Sequence, residues 1–303
     1  MKVHDLYKTI TAAVVKQLEE GTPPWVKPWK DERLSGVGMI PTNLVTGRLY
    51  SGGNVLLLWM AAHAYGYSSL QFCTYHQANE IGATVRKGSK SHTVIFTKHT
   101  LRKDEESGEE KPSTIAKSYP VFHVSQLDGV KDEYLQPQQK RVAGLPEGAS
   151  EKVLLARNCG VTVQHGGNRA CYVPSRDEVE MPTLKAFVDE DAYWQTLFHE
   201  FTHATAHERR CGRKLGKRFG DEQYATEELV AELGSAFLGA RVGIPAGYRS
   251  ASYLDSWLKV LKADSRAIFT AASYAGQAAD YLWKQAFPPQ AENDEQRALE
   301  AAE

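Results

Sequence analysis

Apolar residues recur at helical spacing at both ends of this chain and at strand spacing mainly in its middle. Over 3–19, Leu6, Ile10, Ala13, Val14 and Leu18 share one face, and Gly21 supplies a stop. The run VLLLWMAAHAYG predicts a buried helix ending near Gly66, and TYHQANEIG a short helix capped by Thr74. Residues 91–99 and 119–124 alternate as strands around LRKDEESGEEKPS, a charged hairpin tip or a disordered loop. Two short strands are expected near 161–164 and 170–173. Helices follow at about 190–210, 222–241, 250–262 and 265–286.

These elements predict an α+β fold in two domains. The stretch 126–150 is rich in Gln, Pro, Gly and charge and is the best boundary. The division expected is an N-terminal α+β domain over 1–128, a linker over 129–150, a mainly helical domain with a small sheet over 151–288, and a low-complexity tail over 289–303.

Charge separates the two halves. Residues 1–103 hold 13 Lys+Arg against 6 Asp+Glu, a balance of +7, whereas 104–303 balance at −8. A basic domain joined to an acidic one points to a polyanion partner for the first. The N-terminus has no apolar run long enough for a signal peptide, and no segment reaches the length of a membrane span. A cytoplasmic location is therefore expected. Cys73, Cys159, Cys171 and Cys211 are scattered without CxxC spacing, which argues against a thiolate metal site.

The sharpest chemical signal is His199-Glu200-Phe201-Thr202-His203, an HExxH motif. On a helix, residues four apart lie on one face, so two imidazoles can hold one Zn²⁺ while Glu200 takes a proton from water. A catalytic zinc needs a third protein ligand, and the helix pattern YATEELVAELGSAFL supplies Glu227, Glu228 and Glu232. Glu228 is assigned as third ligand and Glu232 as the group that orients a ligand imidazole, with the swapped assignment left open. Glu227 is expected to be solvated. His207 lies about 12 Å along the helix axis from His199, too far to share the metal. A hydrogen-bond donor for the developing oxyanion would come from Tyr193 or Tyr224, and ACYVP could pair with substrate as an edge strand. Another divalent ion such as Mn²⁺ would also suit two His and a Glu.

In the basic half, Trp25, Lys27, Trp29, Lys30, Arg48, Tyr75, Arg86, Lys87 and Lys90 combine cations with aromatic faces. Single-stranded nucleic acid needs both, and the glycines of SGGN and KGS would let backbone approach phosphate. Tyr50 and Phe72 stand open as either core or stacking platform, and Trp59 is expected in the core.

The motifs PTNLVTGRLYSGGNV, TYHQANEIGATVRKGSKSHTVIF and VFHVSQLDG in the first half, and YVPSRDEVEMP, FHEFTHATAHERR and YATEELVAELGSAFLG in the second, carry a family resemblance. The chain resembles the ArdC antirestriction proteins of conjugative plasmids, and its first part also looks like that of plasmid TraC-type primases. The resemblance implies a single-stranded DNA-binding domain followed by a zincin-like metallopeptidase domain. It implies protection of incoming plasmid DNA from host restriction in the recipient cell, and an unidentified protein or peptide substrate. By position, His199, His203 and Glu228 fall on the family's metal-ligand motif and Glu200 on its catalytic glutamate. Phe201 replaces a more usual Leu, and Ala206 a frequent Gly. The alternative function is a DNA-binding protective module whose metal site is structural or vestigial.

Overall fold

The computed structural model describes residues 3–21, 23–25, 40–103, 110–135, 150–214, 222–246 and 253–288. The expected Lys27, Trp29 and Lys30, most of the expected linker and all of the tail lie outside the described residues.

Helix α1 (Val3–Glu19) forms as its spacing predicts and buries Leu6, Val14 and Leu18. Helix α2 (Gly53–Tyr65) ends at Gly66, which adopts the left-handed conformation at φ 64°. Helix α3 (Tyr75–Glu80) starts on a capping box in which Thr74 and Gln77 exchange hydrogen bonds. A four-stranded sheet runs in the order β1 (Thr42–Asn43), β2 (Gln71–Cys73), β5 (Glu110–His123), β4 (His92–Lys103). The β4–β5 register extends from His92–Val121 out to Lys103–Glu110. Both described ends of the charged segment, 101–103 and 110–113, are thus strand, because cross-strand pairing continues where the apolar–polar alternation of the sequence has faded. The short β3 (Thr84–Val85) and β6 (Leu127–Asp128) make a separate antiparallel pair. Helix α4 (Asp132–Leu135) follows, and Val130 and Tyr134 pack back against a small cluster around Leu44, Ala78 and Leu127.

The second half opens with α5 (Glu151–Asn158), a helix the periodicity did not announce. Its sheet has the order β7 (Thr162–His165), β9 (Glu178–Met181), β8 (Cys171–Val173), with β7 parallel and β8 antiparallel to β9. Strand β9 was not expected, whereas β7 and β8 were, and β8 is an edge strand. Helices α6 (Glu190–Ala204), α7 (Glu222–Arg241), α8 (Leu254–Ala263) and α9 (Ala267–Ala286) complete the domain. Asp189 caps α6 by accepting the Ala192 N–H at 2.7 Å.

One apolar core runs through both halves, from Val14, Phe72 and Val121 to Phe198, Leu233 and Leu282. Helix α1 lies on α8, where Lys262 Nζ meets Glu19 at 2.7 Å and Thr11 Oγ1 donates to the Ser265 carbonyl at 2.7 Å. The Trp25 ring meets Trp257 edge to face at 5.9 Å, and Trp25 is only 3% exposed. The expectation that Trp25 is presented as a stacking platform is therefore corrected. An indole with a large apolar face gains more from filling this gap between halves than from exposure. Tyr50 and Phe72 are likewise buried, and Trp59 packs on Phe237.

Close approach of elements sets two glycines. A Cβ on Gly53 would stand 2.6 Å from the Phe269 ring, and one on Gly234 would stand 2.5 Å from both Oγ1 and Cγ2 of Thr202. The first seats α2 against α9. The second lets α7 lie directly on α6, and this contact positions the site.

Candidate metal centre

Helix α6 turns Glu200, Phe201, Thr202, Leu197 and Phe198 into the interior and leaves His199 and His203 at its partly covered edge. Helix α7 is buried almost all round, including Glu227, Glu228 and Glu232. Three carboxylates on such a helix are costly without cations. The cations are found opposite. His199 Nε2 lies 3.4 Å from Glu228, His203 Nε2 lies 3.6 Å from Glu228, and the two Nε2 atoms are 3.2 Å apart. Tetrahedral coordination with arms of about 2.0–2.1 Å puts neighbouring ligand atoms about 3.3–3.4 Å apart. The two imidazole nitrogens and the Glu228 carboxylate, which turns Oε2 toward His199 and Oε1 toward His203, thus stand close to the spacing that one zinc-sized ion requires. His199, His203 and Glu228 form the only such group among the described residues.

The outer nitrogens of both imidazoles face carboxylates. His199 Nδ1 is 3.7 Å from Glu232, and His203 Nδ1 is 3.4 Å from Glu227. Glu227 is buried, so the expectation of a solvated side chain is corrected. Arg213 makes the difference. It grips Glu227 with Nη2 at 2.7 Å and Nε at 3.1 Å, and donates to the Thr202 carbonyl and Thr205 Oγ1 at 2.8 Å each. A planar guanidinium can cover a carboxylate and the end of α6 together. The sequence offered no sign of this, because Arg213 sits in a loop among other basic residues.

Burial by itself lowers the basicity of both imidazoles, but Glu228 and Glu232 around His199, and Glu227 and Glu228 around His203, outweigh it and raise both well above the ordinary value. Burial raises the Glu228 pKa, yet the two imidazoles hold it below the usual carboxylate range. The cluster is a cation trap that protons or a metal ion can satisfy.

Glu200 is 8% exposed, and its Oε2 accepts the Tyr172 backbone N–H at 2.8 Å. Tyr172 belongs to β8, so this N–H points off the free edge of the sheet toward the centre. Of the two tyrosines considered as donors, Tyr193 gives its hydroxyl to a hydrogen bond with His165 Nε2 at 2.9 Å. Tyr224 lies beside Glu228 and pairs with Tyr253 through their hydroxyls at 3.2 Å. Burial raises the pKa of both phenols, and so does the Glu228 charge. Tyr253 also feels Glu200, and sequence reasoning did not single it out. Helix α6 stops at Ala204, earlier than its pattern suggested, so His207 stands in the following turn, accepting the Arg209 N–H at 3.2 Å.

In the N-terminal half, Arg48, Tyr75, Lys87 and Lys90 are exposed. Arg86 is not a free cation: its Nε pairs with Asp128 at 2.9 Å, and its Nη2 donates to the Ser125 carbonyl. It ties β3 to the segment entering β6 while its side chain stays exposed. Gly88 occupies the left-handed region at φ 86° and serves the turn between β3 and β4.

Comparison with known proteins adds a second line of observation. Residues 4–122 match the N-terminal domain of anti-restriction factor ArdC, and residues 150–274 match a zincin-like metallopeptidase family. An uncharacterised Sinorhizobium fredii protein, y4eC, is 38% identical over 93% of this chain and 92% of its own length. An Escherichia coli DNA primase, TraC, is 34% identical over 91% of the chain, which spans 20% of that primase. Crystal structures of the antirestriction protein ArdC from plasmid R388 superpose with a TM-score of 0.75. The metal-free form is 38% identical, covering 93% of this chain and 98% of that one. The Mn(II)-bound form is 36% identical, covering 94% and 99%.

Proposed function

This chain belongs to the ArdC-type antirestriction proteins, and on that premise we propose that it binds single-stranded DNA and hydrolyses peptide bonds at a divalent metal, so protecting incoming plasmid DNA from host restriction. The convergence of the His199 and His203 Nε2 atoms with the two oxygens of the Glu228 carboxylate at 3.2–3.6 Å, with Glu200 alongside, is the observation that carries the enzymatic part. Zn²⁺ suits the donor set and spacing, and Mn²⁺ is the ion named for the R388 protein.

A divalent ion held by His199, His203 and Glu228 would polarise a carbonyl and acidify water. Glu232 and Glu227 orient the two imidazoles, and Arg213 keeps Glu227 ionised. Glu200 serves as general base and then returns the proton to the leaving amine. Its hydrogen bond to the Tyr172 N–H holds the carboxylate at the mouth of the sheet edge. A substrate backbone laid against β8 would be aligned beside it. Tyr224 and Tyr253, beside Glu228, would serve as donors to a developing oxyanion. On the DNA side, Arg48, Tyr75, Lys87 and Lys90 remain the exposed contacts from the sequence set. No described helix is long and apolar enough to cross a membrane, which fits work in the recipient cytoplasm.

The Glu200→Gln variant tests the proposal. It should keep metal and single-strand binding, and lose both protein cleavage and the protection that depends on it. Full protection by that variant would instead make the metal site structural and DNA coverage the whole function.

A further inference from the structure

A cavity of about 730 Å³ lies where the two halves meet, away from the metal centre. Its walls come from α1, the segment from β1 to the start of α2, Gln77 of α3, β4 and the first turns of α9. The volume falls within the range of about 300–1,000 Å³ usual for ligand sites. Two arginines line it, Arg48 from the N-terminal half and Arg266 from the C-terminal half, and no lining residue is acidic. Neither arginine makes an ion pair among the described residues, and the Arg266 guanidinium lies over the Tyr7 ring at 5.8 Å. Asp264, two residues before Arg266, accepts the Arg266 backbone N–H at 2.8 Å.

The cavity is also aromatic. Phe96 is 50% exposed, Tyr274 41% and Leu49 43%, and all three face it. Exposed apolar groups gathered around one polar cavity mark a binding surface more often than scattered ones do. The α2 N-terminus opens here as well: Gly52 and Gly53 line the cavity, and no side chain caps the helix. The positive end of the helix dipole adds to the pull on an anion.

Guanidinium groups, a helix start and open aromatic faces are the chemistry that recognises a nucleotide: phosphate on the cations, base on the rings. We propose that this cavity is a nucleotide subsite for single-stranded DNA, with phosphate on Arg48 and Arg266 and a base on Phe96 or Tyr274. The inference rests on the DNA-binding reading above and adds that the peptidase domain itself supplies half of the DNA contact. Because Arg48 and Arg266 come from different halves, an occupying strand fastens the domains together. Helix α9 packs in turn on α7, which carries Glu228.

The test uses the full chain and fluorescently labelled dT15 in anisotropy titrations over a range of salt. Arg266→Glu and Arg48→Glu should each weaken binding at least about tenfold and lower the salt slope by about 0.7 per lost phosphate contact. Tyr274→Ala and Phe96→Ala together should weaken it about 5- to 150-fold, as loss of stacking does. Arg266→Gln, which retains a polar stem over Tyr7, provides a second variant should the charge reversal fail to fold. At a fixed concentration, dT15 should raise the melting temperature of the wild-type chain more than that of Arg266→Glu. If the wild type binds dT15 and the Arg266 and Tyr274 variants bind equally well, this inference fails while DNA binding stands. If the wild type binds no dT15, the DNA-binding reading fails with it. If dTMP alone competes as tightly as the strand, the cavity is a free-nucleotide site and the strand assignment is overturned.

Discussion

Replacing Gly234 with alanine should loosen the metal centre more than it loosens the fold. The new Cβ would stand 2.5 Å from both Oγ1 and Cγ2 of Thr202 and 3.0 Å from its Cβ. Ordinary contacts between carbon atoms are about 3.5–4.0 Å, so roughly 1 Å of separation has to be found. Thr202 is fully buried, and its Oγ1 is held by the Phe198 carbonyl at 2.8 Å, so its side chain cannot simply rotate aside. The relief is movement of α7 away from α6, which carries Glu228 away from His199 and His203. Metal–ligand distances tolerate only about 0.2 Å. Overpacking of this kind costs about 1–3 kcal/mol. If that strain is felt when the ligands close on a metal and relaxes when they do not, metal affinity falls about 5- to 150-fold. Alanine also favours the helix over glycine by about 1 kcal/mol, so the metal-free melting temperature should hardly move. Competition with a chromophoric chelator reads the affinity, and circular dichroism reads the fold. Removing the two closest atoms in a Thr202→Ala, Gly234→Ala double variant should restore most of the binding. Wild-type metal affinity in the single variant would refute the claim that α6–α7 contact sets the ligand spacing.

Glu227→Gln should reduce metal affinity about 10- to 100-fold, because it removes the carboxylate that orients His203. It should also destabilise the domain by about 3–5 kcal/mol, since Arg213 is left buried without its partner. Chelator competition and urea melts separate these effects, and a neutral outcome in both would show that Glu227 is a bystander. Acid sensitivity should trace to His123. Burial lowers its pKa to about 4, and its Nδ1 already accepts the Ser125 N–H at 3.1 Å. The unfolded chain takes up that proton below about pH 6.5 while the folded chain does not, so stability falls between about pH 6.5 and 4, by about 3 kcal/mol at most. His123→Gln should flatten that part of the stability–pH curve, and an unchanged curve would place the sensitivity elsewhere. Trp257→Ala should cost about 3–5 kcal/mol and, because Trp25 packs on it, should expose the N-terminal tryptophan to quenching by iodide. Unaltered quenching would mean the seam between halves is not built on this pair.

Local periodicity made the long helices legible. Leu6 through Leu18 and the HExxH spacing needed only the 3.6-residue repeat to place side chains on one face. Thr74 and Gln77 announced α3 through cap chemistry. Less was readable where the partner is distant. Glu227 looked solvated because a helix buried all round has no polar face against which to recognise the exception, and its cation, Arg213, comes from a loop. Trp25 looked exposed within a Pro-rich run, because nothing local indicates that Trp257 waits more than two hundred residues away. The partners of Arg86, Asp128 and the Ser125 carbonyl, were not legible either, since both lie about forty residues away in sequence. The strands β4 and β5 outran their alternating pattern because their register, not their hydrophobicity, holds them together. Tyr253 acquires its place beside the centre only through the packing of α8 against α7.

X-ray absorption at the zinc edge, on the intact chain loaded with one equivalent of Zn²⁺, bears most directly on the metal centre. Two imidazole nitrogens and one carboxylate oxygen at about 2.0–2.1 Å are expected in the first shell, with one imidazole lost in His203→Ala. A shell of sulfur at about 2.3 Å, a spectrum unchanged by His203→Ala, or a protein that takes up no metal would contradict the account.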